Sequence, residues 1–135
     1  ECAQFCRFPF GLSDAHGQML TPERHLLSLR DMNRMDSLEE MMDAGIRSFK
    51  IEGRLKGVSY VKNVTAAYRQ AIDKVLLRRH SDYCRSSLGR SEITFSPDPQ
   101  RSFPRGFTDY FLHGRRGSVA SMDTPKSRGR EGGRV

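Results

Sequence analysis

Apolar positions change their spacing several times along the chain, and each change marks an element. Phe5, Phe8, Phe10 and Leu12 are β-formers ahead of the turn-prone run Asp14-Ala15-His16-Gly17, after which Gln18-Met19-Leu20 resumes. This pattern predicts a hairpin over residues 5–20. A short apolar run, Leu26, Leu27 and Leu29, then closes on Arg30-Asp31. Asp36 and Glu39 have capping-box spacing, Leu38, Met41 and Met42 share one helical face, and Gly45 stands where a helix would stop. A helix of about two turns is expected there, opened by Asp36 and closed at Gly45. Ile46, Phe49 and Ile51 predict a strand over 46–51, followed by the polar, glycine-punctuated segment Glu52-Gly53-Arg54-Leu55-Lys56-Gly57. Tyr60, Val61, Val64, Tyr68, Ala71, Ile72 and Val75 recur at three- and four-residue spacing, which predicts an amphipathic helix over about 59–79. Arg78, Arg79 and His80 at its end suit the negative pole of the helix dipole.

Helix, strand, polar loop and helix, in that order, form the grammar of a parallel α/β unit. One strand makes no parallel sheet, so the apolar faces of both helices call for partners outside these residues. The chain also opens on Glu1 beside Cys2 with no initiating Met. A piece of a longer chain is therefore expected. Beyond residue 80 the character changes. Residues 81–102 are rich in Ser and Arg, with Pro97 and Pro99 close to one candidate strand, Ile93-Thr94-Phe95. Phe103, Phe107, Tyr110 and Phe111 make 103–114 aromatic, and from 115 on Gly, Arg and Ser dominate, a composition that resists ordering.

Hydrophobic residues make up 36% of the 135 and Trp is absent, so any core is modest. The net charge of +7 is uneven. Residues 1–100 hold 15 Lys+Arg against 13 Asp+Glu, and residues 101–135 hold 8 against 3. A basic end is compatible with RNA, whose phosphates attract Lys and Arg and release counterions; the plain alternative is a solvated tail. No apolar leader or membrane-length stretch occurs in the sequence, so the expectation is a cytoplasmic protein without a membrane partner.

Three cysteines, at 2, 6 and 84, make no disulfide framework. In a reducing compartment, paired cysteines more often bind metal or do redox chemistry. Cys2 and Cys6 could offer two thiolates to an iron–sulfur cluster, which usually takes four; two unpaired cysteines without a ligand are the alternative. Cys84 reads as an ordinary free thiol. His25 and His113 are isolated, and neither a His-Glu zinc spacing nor a G-x-S-x-G elbow occurs, so a zinc or serine peptidase is not supported.

Three stretches resemble the collagenase-like peptidases, peptidase family U32. They are Cys2-Ala3-Gln4-Phe5-Cys6-Arg7-Phe8-Pro9-Phe10; Asp43-Ala44-Gly45 through Ser48-Phe49-Lys50-Ile51-Glu52-Gly53-Arg54-Leu55-Lys56 to Tyr60-Val61 and Tyr68-Arg69; and Arg105-Gly106-Phe107-Thr108 with Tyr110, Leu112 and Gly114. The likeness is greatest to the bacterial branch involved in RNA hydroxylation. It implies an α/β fold: residues 1–80 as the C-terminal part of a TIM-like βα barrel, completed by the rest of a parent chain. Residues 81–135 would be a linker and a small, basic, partly irregular C-terminal region. It implies two functions, iron–sulfur-dependent hydroxylation of a pyrimidine in ribosomal or transfer RNA, or peptidase activity of unassigned catalytic type. A non-catalytic, RNA-contacting scaffold is the third reading. In related members four cysteines hold a 4Fe–4S cluster, with Cys2 and Cys6 matching two of them. Some relatives carry a further cysteine after the dipeptide that matches Arg30-Asp31, where this chain has Asn33.

In βα barrels, active sites gather on loops after the carboxyl ends of strands. Lys50, Glu52, Arg54 and Lys56 crowd one such end and are the catalytic candidates. Glu52 would act as general base or pair with Arg54, Arg54 would grip a phosphate or carboxylate, and Gly53 would let the backbone approach a ligand. Arg7, Arg105 and Phe107 are the candidate RNA or substrate contacts, Phe107 and Tyr110 by stacking on unpaired bases; packing of a small subdomain is the alternative for the aromatics.

Overall fold

The computed structural model describes residues 3–54, 56–102, 105–115, 117 and 119–125; Cys2, Leu55 and Phe103, which figure above, lie outside them. The chain forms two compact units, Glu1–Asn33 with Phe103–Val135, and Arg34–Ser102. Neither junction coincides with the expected boundary at residue 80.

The first unit holds the expected hairpin, shifted along the chain. Phe5–Arg7 is a single 3-10 turn, and strands β1 (Phe10–Ser13) and β2 (Met19–Arg24) pair antiparallel. Asp14 makes the turn: its Oδ1 accepts from the backbone N–H of His16 and of Gln18, both at 2.9 Å, and Gly17 takes φ +82°. That is side-chain chemistry imitating a backbone turn. The register slips between Phe10↔Arg24 and Leu12↔Thr21, the stretch containing Pro22, which has no N–H to give the ladder.

Strand β3 (Asp31–Met32) pairs in parallel with β4 (Phe107–Thr108). The return segment 119–122 lies antiparallel to 25–30, with Arg30 N–H donating to Val119 O, Ser121 N–H to Ser28 O and His25 N–H to Met122 O. An Arg24–Asp123 ion pair adds to the same seam. Residues at opposite ends of the sequence are thus held by backbone bonds rather than by apolar packing. Ala120 is the one buried hydrophobic residue of this unit among those described.

The second unit has the larger core. Helix α1 (Leu38–Asp43) buries Leu38, Met41 and Met42, and α2 (Val58–Arg78) buries Val64, Ala66, Ala67 and Val75. Burying a Leu or Met side chain is worth about 1.5–3 kcal/mol, so this interface outweighs any single polar contact around it. The expected capping box is not made. Met35–Ser37 is a 3-10 turn, and the helix begins at Leu38 with Ser37 as its N-cap and no side-chain cap. The stop is as expected. Gly45 at φ +97° donates to Met42 O and Ile46 N–H to Met41 O, each at 3.0 Å, the paired bonds of a Schellman ending.

Two expected strands do not form. Residues 46–51 and 93–95 carry no strand assignment. A strand is defined by its neighbour, and none among the described residues pairs with either. Residues 81–102 fold back on the helices instead. Asn63 on α2 donates to Asp98 O at 2.6 Å and to Ser102 Oγ, and accepts from Asp98 N–H at 2.9 Å.

Candidate functional site

The loop entering α2 is closed by its own residues. Lys56 N–H donates to Gly53 O at 3.0 Å, and Arg54 N–H donates to Glu52 Oε1 at 2.8 Å. The Glu52 carboxylate therefore helps to shape the turn. Lys50 Nζ stands 4.0 Å from Glu52 Oε2 with both side chains exposed, a contact worth about 0–1 kcal/mol. Lys56 Nζ lies over the Tyr60 ring, 4.6 Å from its centroid. Three of the four catalytic candidates thus meet at Glu52, while Lys56 turns to α2. The exposed Arg54 guanidinium makes no hydrogen bond or ion pair among the described residues, so it is the group of this loop best placed to take an anion. Gly53 answers to a different neighbour from the one expected. A Cβ there would come 2.8 Å from Val61 Cγ2, so the close approach is to the helix.

Cys6 is exposed on the Phe5–Arg7 turn, beside Gln4 at φ 55°. Among the described residues no three His, Cys, Asp or Glu side chains gather as a metal site. The whole chain has three cysteines, one fewer than the four thiolates of a usual 4Fe–4S cluster. Cys84, also exposed, belongs to the other unit. This chain's thiolates alone do not complete a cluster.

The contact candidates are positioned by internal bonds. Arg7 Nη1 donates to Oγ of the fully buried Ser28 at 3.1 Å, and His25 Nδ1–H donates to Arg7 O at 2.9 Å, which sets the His25 tautomer. Arg105 gives both its backbone N–H and its Nη2 to Asp31, each at 2.9 Å, in a pair only 16% and 12% exposed. Its fork is committed to β3. Phe107 is half-buried in β4.

Sequence reasoning missed a charged cluster in the second unit. Arg79 Nη1 donates to both oxygens of Asp43, at 2.7 and 2.9 Å, and Nη2 donates to Asp82 at 3.0 Å. Tyr83 O–H donates to Asp43 Oδ1 at 2.6 Å, and the Arg47 and Arg79 guanidiniums lie over the Tyr83 ring at 5.5 and 5.0 Å. The Tyr83 hydrogen bond, then that of Arg79, holds the Asp43 carboxyl below its ordinary 3.8. The same bond pushes the Tyr83 phenol above 10.0, and Asp82 and Asp43 push Arg79 up. The three-residue spacing of Arg79 and Asp82 was the available signal; Asp43, 36 residues distant, gave none.

The sequence model of peptidase family U32 matches residues 1–121. The chain is 47% identical over 126 residues to the 23S rRNA 5-hydroxycytidine C2501 synthase of Escherichia coli (strain K12), covering 93% of this chain and 19% of the synthase. It is 33% identical over 115 residues to a collagenase of Porphyromonas gingivalis, covering 85% of this chain and 30% of the collagenase. Against tRNA hydroxylation protein P2 of Bacillus subtilis (strain 168) it is 53% identical over 49 residues, covering 36% of this chain and 16% of that protein. The chain spans less than a third of each of these relatives. No solved structure matches it.

Proposed function

The chain belongs to peptidase family U32, and from that membership we propose that it serves, within a larger protein, in hydroxylating a pyrimidine of ribosomal or transfer RNA. The observation that carries this reading is the 47% identity to the rRNA hydroxycytidine synthase across 93% of the chain. The net charge of +7 supports it, since a polyanionic partner is bound through Lys and Arg. The reading places the chain at the C-terminal end of a TIM-like βα barrel. Segment 46–51 would there find the strand neighbours that the described residues lack, and Lys50, Glu52 and Arg54 would stand at the mouth. Arg54, exposed and with no side-chain partner among the described residues, suits an RNA phosphate or an anionic co-substrate. Cys2 and Cys6 offer two thiolates to an iron–sulfur cluster whose other ligands lie outside this chain; such a cluster supplies one-electron chemistry. The expected compartment is the cytoplasm, and no helix among the described residues is long and apolar enough to cross a membrane.

The 33% identity to a collagenase keeps a peptidase as the rival. The complete protein is tested on RNA and on collagen-like peptides in parallel. RNA hydroxylation that is lost in Cys6→Ala, with no peptide cleavage, is the expected result. Peptide cleavage that disappears in Glu52→Gln, with RNA untouched, would overturn the reading in favour of a peptidase.

A further inference from the structure

In the unit Arg34–Ser102, a cavity of about 350 Å³ is lined by α2 and by residues of the segments 46–49 and 83–86. Its polar lining includes Arg47, Arg69 and Arg85 with Ser48, Tyr83 and Ser86, over an apolar floor that includes Phe49, Ile72 and Leu76. Among the described residues no carboxylate belongs to the lining. Three guanidiniums around one opening repel one another unless an anion offsets them, so what neutralises them decides what the cavity is for.

Asp73 answers part of the charge. It accepts from Arg69 Nε at 3.0 Å and Nη2 at 2.5 Å, and lies 3.7 Å from Arg85 Nε. Arg85 makes no hydrogen bond among the described residues. Arg47 is oriented by neutral acceptors, donating from Nη1 to Met42 O at 2.8 Å and Ile46 O at 3.4 Å, which fix its direction without cancelling its charge. Asp73 thus faces Arg69 and Arg85, and Asp43, outside the lining, attracts Arg47. Two carboxylates against the three lining cations leave positive charge at the opening, already held in place by helix and backbone. Guanidinium groups arranged in this way match phosphate, which accepts several charge-assisted bonds at once. The volume is at the small end of ligand sites, about 300–1,000 Å³. Tyr83 has two guanidiniums over its ring, which argues for a backbone contact rather than a base stacked at this point.

We propose that this cavity is a phosphate-binding site and, resting on the function proposed above, that it holds backbone phosphate of the RNA substrate. Contacts of this kind set position and register and carry no sequence preference.

The test uses the complete protein, wild type and Arg85→Gln, with a labelled single-stranded RNA titrated across a salt series, and with inorganic phosphate followed by thermal shift. Arg85→Gln is expected to weaken RNA binding for every sequence and to lower the salt slope by about 1, with its melting temperature unchanged in the absence of phosphate. Arg85→Lys should retain most of the binding. Inorganic phosphate should raise the melting temperature of the wild type more than chloride at equal ionic strength, and that increment should vanish in Arg85→Gln. Should Arg85→Gln not fold, Ser86→Asp, which sets a repelling charge in the cavity, is expected to give the same loss. RNA binding and phosphate response both equal to wild type would overturn the site. Loss of the phosphate response with RNA binding intact would overturn RNA as the source while supporting the phosphate chemistry. Absence of RNA hydroxylation in the wild type, with the phosphate response present, would fell the proposed function and leave the phosphate site standing.

Discussion

Asp43 accepts from Arg79 Nη1 on both its oxygens and from the Tyr83 hydroxyl, and these bonds make its ionised form the favoured one. Because its folded pKa lies below 3.8, its contribution to stability is complete above that value and drains away as pH falls through the lower, folded value. Tyr83 works in the opposite sense. Its pKa is raised above 10.0, so its contribution is present below 10.0 and is lost as pH rises through the folded value. Denaturation midpoints measured across pH should therefore show an acid limb that Asp43→Asn removes and an alkaline limb that Tyr83→Phe removes. Both groups are open to solvent, so the limbs should be shallow. Arg105 makes a sharper case. Arg105→Ala removes a guanidinium from the Asp31 side chain, which is 12% exposed. Removing one partner of a buried pair costs about 3–5 kcal/mol, and the lower end is expected because the Arg105 backbone N–H still reaches Asp31. A residue used only to touch RNA would weaken RNA binding and leave the unfolding midpoint unchanged.

Among the elements, helices were more legible than strands because a helix carries its hydrogen-bond partners in its own sequence. The three- and four-residue spacing from Tyr60 to Val75 placed α2 within one residue of Val58–Arg78. Gly45 likewise marked its stop through a local demand, a positive φ that other residues resist. Gly45→Ala should lower stability by about 1 kcal/mol for the left-handed backbone alone, read from the urea midpoint. The hairpin was legible through Asp14 and Gly17, though its strands run to Arg24 because Pro22 is absorbed by a register slip. Segment 46–51 shows the limit. Its apolar residues suit a strand, but a strand needs a neighbour whose position no local pattern encodes. The same limit hid the pairing of β3 with β4, where Asp31 meets Phe107. It also hid the use of Arg105 as a structural partner. The candidate loop was legible as a cluster of charges, but the turn formed by the Glu52 carboxylate was not.

On the scale of the molecule, the two units are stabilised differently. The unit Arg34–Ser102 has a small apolar core, whereas the other has a single buried hydrophobic residue among those described and leaves Phe5, Phe8, Leu12, Met19 and Leu20 half or more exposed. Two strands alone are marginal in water. The proposed place in a larger barrel protein would give those side chains neighbours; the relatives, of which this chain spans less than a third, are longer proteins. The proposed role in RNA hydroxylation is tested by nucleoside mass spectrometry of ribosomal and transfer RNA from cells with and without the complete protein. One hydroxylated pyrimidine is expected to disappear on deletion and to return when the intact gene is restored. An unchanged set of hydroxylated pyrimidines in the deleted cells would contradict it.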